Sequence, residues 1–294
     1  MNARSHFSKL GWALFGVAAL ANMSQAFITW IIGEFYPHIA ASRWFPMLLI
    51  AVGYYVFGLP VMWYMTRFLD VVKIRPQRRL AEGIIPVYLV SMAIGYLCSW
   101  LGTALSSIVS AFTGTATGNP VAELVGYSGI LPMAIVSGIM APIVEELIFR
   151  GILLDRARVF GDKPAVILSA ITFGLMHMNL YQFFYAFVIG IILGKEALAG
   201  GVGRSILLHM MINFTGSVVM PLLLRMDPVG MLASQAVMCI MAAGIFLWIR
   251  QGRDVLRLNR LSSSGEVKTT EIYLNFGMTA YIVLCLAGFV ISVI

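Results

Sequence analysis

Charge is what this 294-residue chain most lacks: Asp, Glu, Lys and Arg together make up 11% of it, where soluble domains carry about 25%. With 60% apolar residues and a mean hydropathy of +0.89, a water-soluble fold is excluded. Cysteine is scarce as well. Cys98, Cys239 and Cys285 each sit inside an apolar run, so the sequence offers neither a disulfide framework nor a metal-type spacing. Internal repeats and low-complexity segments are missing, and the chain reads as one helical domain, 1–294.

What is present is a series of apolar stretches, each near the length that a helix needs to cross about 30 Å of hydrocarbon. The expected spans are 10–34, 44–68, 84–110, 129–153, 164–180, 182–199, 205–225, 229–249 and 275–294, giving an all-α polytopic bundle of eight to nine spans. Basic residues in short loops are retained on the cytoplasmic side. Arg4 and Lys9 precede the first span, and the loops on the same side carry Lys73, Arg75, Arg78 and Arg79, then Arg156, Arg158 and Lys163, then Arg204, then Arg250, Arg253, Arg257, Arg260 and Lys268. The opposite loops hold Arg43, none in 113–127, and Arg225 at one edge. The N-terminus is therefore expected in the cytoplasm, and the net charge of +7 is accounted for by topology rather than by a nucleic-acid partner. The first span imitates a secretory signal, but its apolar run continues through Phe27 to Ile32 and favours an uncleaved anchor. The polar segment 251–271 is expected to be a cytoplasmic loop.

Against this background the informative residues are polar ones inside the spans, because a charge at the centre of a membrane helix costs roughly 2.5 to 3.5 kcal/mol even on a lenient scale. The fourth span contains Glu145, Glu146 and Arg150. Residues four apart share a helix face, whereas neighbours point about 100° apart. Glu146 and Arg150 are therefore expected to pair, leaving Glu145 projecting elsewhere without a local partner. A carboxylate in a poorly solvated site suits a general base or acid near neutral pH. His177 closes the fifth span, and His209 and Asn213 share a face of the seventh; His6 and His38 lie near span ends and are read as interfacial. A carboxylate and an imidazole to activate water, with an imidazole and an amide to receive negative charge, form the parts list for amide hydrolysis.

Taken together, Glu145-Glu146-x-x-x-Arg150, Phe173-x-x-x-His177 and His209-x-x-x-Asn213 resemble the motifs of the CPBP family, the CAAX proteases and bacteriocin-processing enzymes. The resemblance covers roughly 129–225, which it marks as the catalytic core. It implies an intramembrane endopeptidase acting on a membrane-embedded or lipidated substrate without a covalent intermediate. By position, Glu145 and His177 match the pair that activates water, His209 and Asn213 the oxyanion hole, and Glu146 and Arg150 a structural acid and base. No cofactor is expected. A zinc site formed by Glu145, His177 and His209 is the chemical alternative. Two functional rivals stand beside the protease: a transporter or proton pathway, since intramembrane Glu, His and Arg also mark ion routes, and a non-catalytic scaffold that regulates a membrane partner. Depth along the helices places Glu145 roughly 15 Å from Asp155, His177 roughly 21 Å from Lys163 and His209 roughly 8 Å from Arg204, and the site is expected to open toward the cytoplasmic half.

Overall fold

The structure, a computed structural model, describes residues 2–114, 120–224, 229–250, 261 and 267–292. Arg225 and most of the 251–271 loop lie outside the described residues. Among the described residues all regular structure is helical. The helices are α1 (Ala3–Phe35), α2 (Phe45–Thr66), α3 (Ile84–Thr113), α4 (Pro120–Ser128), α5 (Ile130–Phe160), α6 (Asp162–Met176), α7 (Leu180–Gly200), α8 (Val202–Leu223), α9 (Val229–Arg250), α10 (Thr269–Tyr273) and α11 (Phe276–Ile291). Six of them, α1, α2, α3, α5, α7 and α8, are long and apolar enough to cross a membrane. The chain is an integral, multi-pass membrane protein.

Two local readings of the sequence change. The segment 113–127, expected as an outer loop, folds from Pro120 onward into α4. The pair of spans meeting near Asn179 is instead a hairpin with one short arm. At 1.5 Å per residue the 15-residue α6 is roughly 22 Å long and stops short of a full crossing. Its end is set by residues 177–179: Met178 adopts a left-handed backbone with φ 52°, and the Asn179 side chain accepts from the Gln182 N–H at 2.9 Å to cap α7. The turn consequently lies well inside the bundle.

Helix packing gathers the basic loops at one end. The His6 ring donates to the Arg156 carbonyl at 3.1 Å, joining the start of α1 to the end of α5. Arg158 donates to the Val72 carbonyl, and the Gln77 N–H to that of Ala199 at 2.8 Å. Arg204, fully buried, pairs with Glu196 at 2.6 Å and donates to the carbonyls of Arg79, Leu80 and Glu82. Arg204 and Arg156, read from sequence as loop charges, are thus structural: Arg204 ties the 79–82 loop to α8, and Arg156 ties α5 to the Thr66 carbonyl at the end of α2. At the other end Tyr127 donates to the Ala41 carbonyl at 3.1 Å.

Helix α1 crosses α11 closely. A β-carbon at Gly277 would collide with the Ser8 carbonyl oxygen and lie 2.7 Å from the Trp12 nitrogen, while the Gly277 N–H donates to Ser8 Oγ at 3.1 Å. Small residues that let backbones approach are the usual currency of helix association in lipid. Replacing Gly277 by leucine is expected to destabilise the protein by about 1–3 kcal/mol, the cost of overpacking, read as a lower midpoint of thermal unfolding in detergent. Gly33→Leu, at a site with no neighbouring atom within 4 Å, serves as the neutral control.

Candidate active site

The backbone of α5 is irregular where the polar residues lie. Wide π-type turns run over Met133–Met140 and Leu147–Leu154, on either side of the regular turn Ala141–Glu146. Such turns concentrate at functional sites, and here one leaves a carbonyl free. In the wide register residue 141 bonds back to residue 136, five earlier, so residue 142 is the natural donor to the Ser137 carbonyl. Residue 142 is proline and has no N–H. The Ser137 carbonyl instead accepts from Asn213 Nδ2 of α8 at 3.1 Å, so a proline in one motif helix holds a motif residue of another.

One turn further on, Glu146 and Arg150 form the expected ion pair, 2.7 Å apart and fully buried. The remaining valences of Glu146 are filled from α8: His209 Nδ1 donates to Oε1 at 2.9 Å and Ser205 Oγ to Oε2. Arg150 also donates to the Gly190 carbonyl of α7 at 3.1 Å, and its guanidinium carbon lies 4.6 Å from the centre of the Phe173 ring. Three helices, α5, α7 and α8, are thereby joined through one acid and one base. A buried pair hydrogen-bonded in this way, with Arg150 Nε left without a partner, is an arrangement that low-dielectric surroundings tolerate.

Glu145 points away from that pair. Its Oε2 faces His209 Nε2 at 3.6 Å, so the same imidazole lies between the two carboxylates. His177 Nδ1 bonds to the Phe173 carbonyl at 2.9 Å. A carbonyl only accepts, so Nδ1 carries the proton and Nε2 keeps its lone pair. The Phe173 ring separates the two imidazoles, edge-on to His177 at 5.0 Å and to His209 at 5.6 Å. Asn213 is anchored at both ends of its amide, since Oδ1 accepts from Tyr185 at 3.3 Å while one N–H is given to Ser137. A second N–H remains.

Glu145, His177, His209 and Asn213 all line one cavity of about 680 Å³, together with Tyr54, Tyr185 and residues of α1 and α3. The cavity extends toward one end of the bundle. From Glu145 the lining continues through Ala141, Ser137 and Met133 of α5 and through Asn213, Ser217 and Pro221 of α8, away from the end that gathers the basic loops. The space on the basic side is filled by Glu146, Arg150, Ser205 and their packing partners. Among the described residues no three His, Cys, Asp or Glu side chains are grouped so as to hold a metal ion.

Four contributors escaped the sequence reading. Ser205 continues the row Ser205, His209, Asn213 at four-residue spacing, a signal that was available. Pro142 was visible but not its freed carbonyl. Tyr185 and Ser137 give no sign without the fold. Removing the base of the ion pair tests its structural role: Arg150→Met is expected to destabilise the protein by about 3–5 kcal/mol, because Glu146 is left buried and unpaired. Adding Glu146→Gln to Arg150→Met is expected to recover a large part of the loss in a double-mutant cycle of unfolding free energies.

Comparison with known proteins follows the same residues. No curated protein and no solved structure matches the chain. Residues 127–215, however, match the family model described as type II CAAX prenyl endopeptidase Rce1-like, and that stretch contains all three motifs and every residue of the buried network. The stretch 127–215 is therefore similar to Rce1-like CAAX endopeptidases, in line with the resemblance that its three motifs carry.

Proposed function

We propose that this protein hydrolyses a peptide bond of a membrane-associated or lipidated polypeptide inside the bilayer, with Glu145 and His177 activating a water and His209 and Asn213 stabilising the oxyanion. The observation that carries the reading is the division between two adjacent carboxylates: Glu146 is locked in a closed network, whereas Glu145 faces a cavity shared with two imidazoles and an amide. A purely structural cluster has no need of the second arrangement.

In the proposed reaction, a water bound between Glu145 and His177 gives one proton to the Glu145 carboxylate while its oxygen bonds to the scissile carbonyl carbon. His177 Nε2, the unprotonated nitrogen, accepts a hydrogen bond from the same water and orients it. Negative charge that develops on the carbonyl oxygen is met by the Nε2–H of a doubly protonated His209, whose Nδ1–H is given to Glu146, and by the second N–H of Asn213, whose amide is held by Ser137 and Tyr185. Collapse of the tetrahedral species breaks the carbon–nitrogen bond, and the proton held by Glu145 passes to the departing amine. Holding water, base and acceptor in one geometry supplies much of such a rate enhancement. The proposed scheme routes no step through a metal.

Three measurements check the proposal. Membrane proteomes of cells expressing the wild-type chain or Glu145→Ala are compared by terminal-peptide mass spectrometry; new termini present only with the wild type are expected, and identical termini would sink the protease reading. With a substrate so identified, Asn213→Ala is expected to lower kcat by about 100- to 1000-fold, the usual cost of one oxyanion donor. Exhaustive chelation is expected to leave the cleavage rate unchanged. Loss that zinc restores would replace the metal-free mechanism with a zinc one.

A further inference from the structure

The direction of the cavity bears on which substrates reach Glu145, an inference that rests on the hydrolytic reading of that residue. Each long helix lining the cavity runs between the basic end and the opposite end, so position along the helix measures depth. At 1.5 Å per residue, Ser99 lies roughly 22 Å from the start of α3, and Ser217 and Pro221 lie roughly 22 and 28 Å from the start of α8, both starts being at the basic end. Met133 lies only three residues from the opposite end of α5, and Leu124 belongs to α4, which packs at that end through Tyr127 and Ala41. All five line the cavity. In the other direction the lining reaches no further than Ser91, Phe149 and His209.

Two features close the basic side. The Glu146, Arg150, Ser205 and His209 network is at most 2% exposed in every member and spans α5 and α8 below the cavity floor. Beyond it, Arg204 and Glu196 clamp the 79–82 backbone over the start of α8. On the opposite side α6 ends early, and its turn at 177–179 places His177 at the cavity wall. The retention of basic loops in the cytoplasm assigns the closed end to the cytoplasm.

From this placement we infer that substrate enters from the extracytoplasmic face, and that the bond cut belongs to an exported peptide or to the extracytoplasmic juxtamembrane segment of a membrane protein, not to a cytoplasmic lipidated C-terminus. Polar groups along the entrance, Gln25, Ser99, Thr103, Ser137 and Ser217, keep it hydrated and offer partners to a peptide backbone, while Met92, Met133 and Met176 adapt to varied apolar side chains.

The test reads accessibility and does not require turnover. In a chain with Cys98, Cys239 and Cys285 replaced by alanine, Ser99→Cys and Ser217→Cys are exposed to a charged, membrane-impermeant thiol reagent in sealed right-side-out and in inverted membrane vesicles, with Arg75→Cys marking the basic end. The inference expects both cavity cysteines to react in right-side-out vesicles and Arg75→Cys only in inverted ones. Reaction with the sidedness of Arg75→Cys overturns it, and so does a lack of reaction from either face. Cleavage sites from the terminal-peptide comparison give a second check: cytoplasmic sites refute extracytoplasmic entry while leaving proteolysis intact, and identical termini refute proteolysis while leaving the accessibility result to stand.

Discussion

The ion pair of Glu146 and Arg150 is the interaction on which the rest of the site depends. A carboxylate and a guanidinium with no solvent exposure are tolerable in a bilayer only when they neutralise each other and when most of their remaining hydrogen-bonding valences are filled. Here that filling is done by Ser205 and His209 from α8 and by the Gly190 carbonyl from α7. Neutralising the charge and assembling the helices are therefore the same act. Because His209 is held through Nδ1, its other nitrogen is directed at Glu145, and the orientation of a catalytic candidate follows from the burial of a structural acid.

A second constraint comes from the backbone. Pro142 deletes one N–H from α5, the wide turn before it exposes the Ser137 carbonyl, and Asn213 occupies it. Asn213 is thus positioned by the absence of a donor in one place and by the Tyr185 hydroxyl in another. Phe173 does for the imidazoles what Ser137 does for the amide. Its ring packs edge-on against His177 and His209 and carries the Arg150 guanidinium near its face, so the spacing of two histidines and one cation is set by a single apolar side chain.

Much of this was legible in the sequence because membranes make polarity expensive. Glu145, Glu146, Arg150, His177, His209 and Asn213 stood out against apolar neighbours, and helix periodicity alone separated Glu146 with Arg150 from Glu145. The helical class and most span boundaries followed from run length. Less legible were features that depend on how helices end and cross. The hairpin at 177–179 has the composition of two full spans, and only the left-handed Met178 and the Asn179 cap reveal a short α6. Arg204 and Arg156 count as loop charges in any sidedness argument, yet both are buried and bonded to backbone carbonyls. The direction of the cavity was not legible from depth counting along straight helices, because the counts say nothing of which side the buried network fills.

The central claim is that two neighbouring glutamates divide labour, one holding the fold and the other performing chemistry. It is tested most directly by measuring cleavage rate and unfolding midpoint for Glu145→Gln and Glu146→Gln in the same reconstituted membranes. The account predicts that Glu145→Gln abolishes cleavage with the midpoint unchanged, and that Glu146→Gln lowers the midpoint. Full cleavage by Glu145→Gln, or an unfolding midpoint that falls for Glu145→Gln and stays fixed for Glu146→Gln, would contradict it.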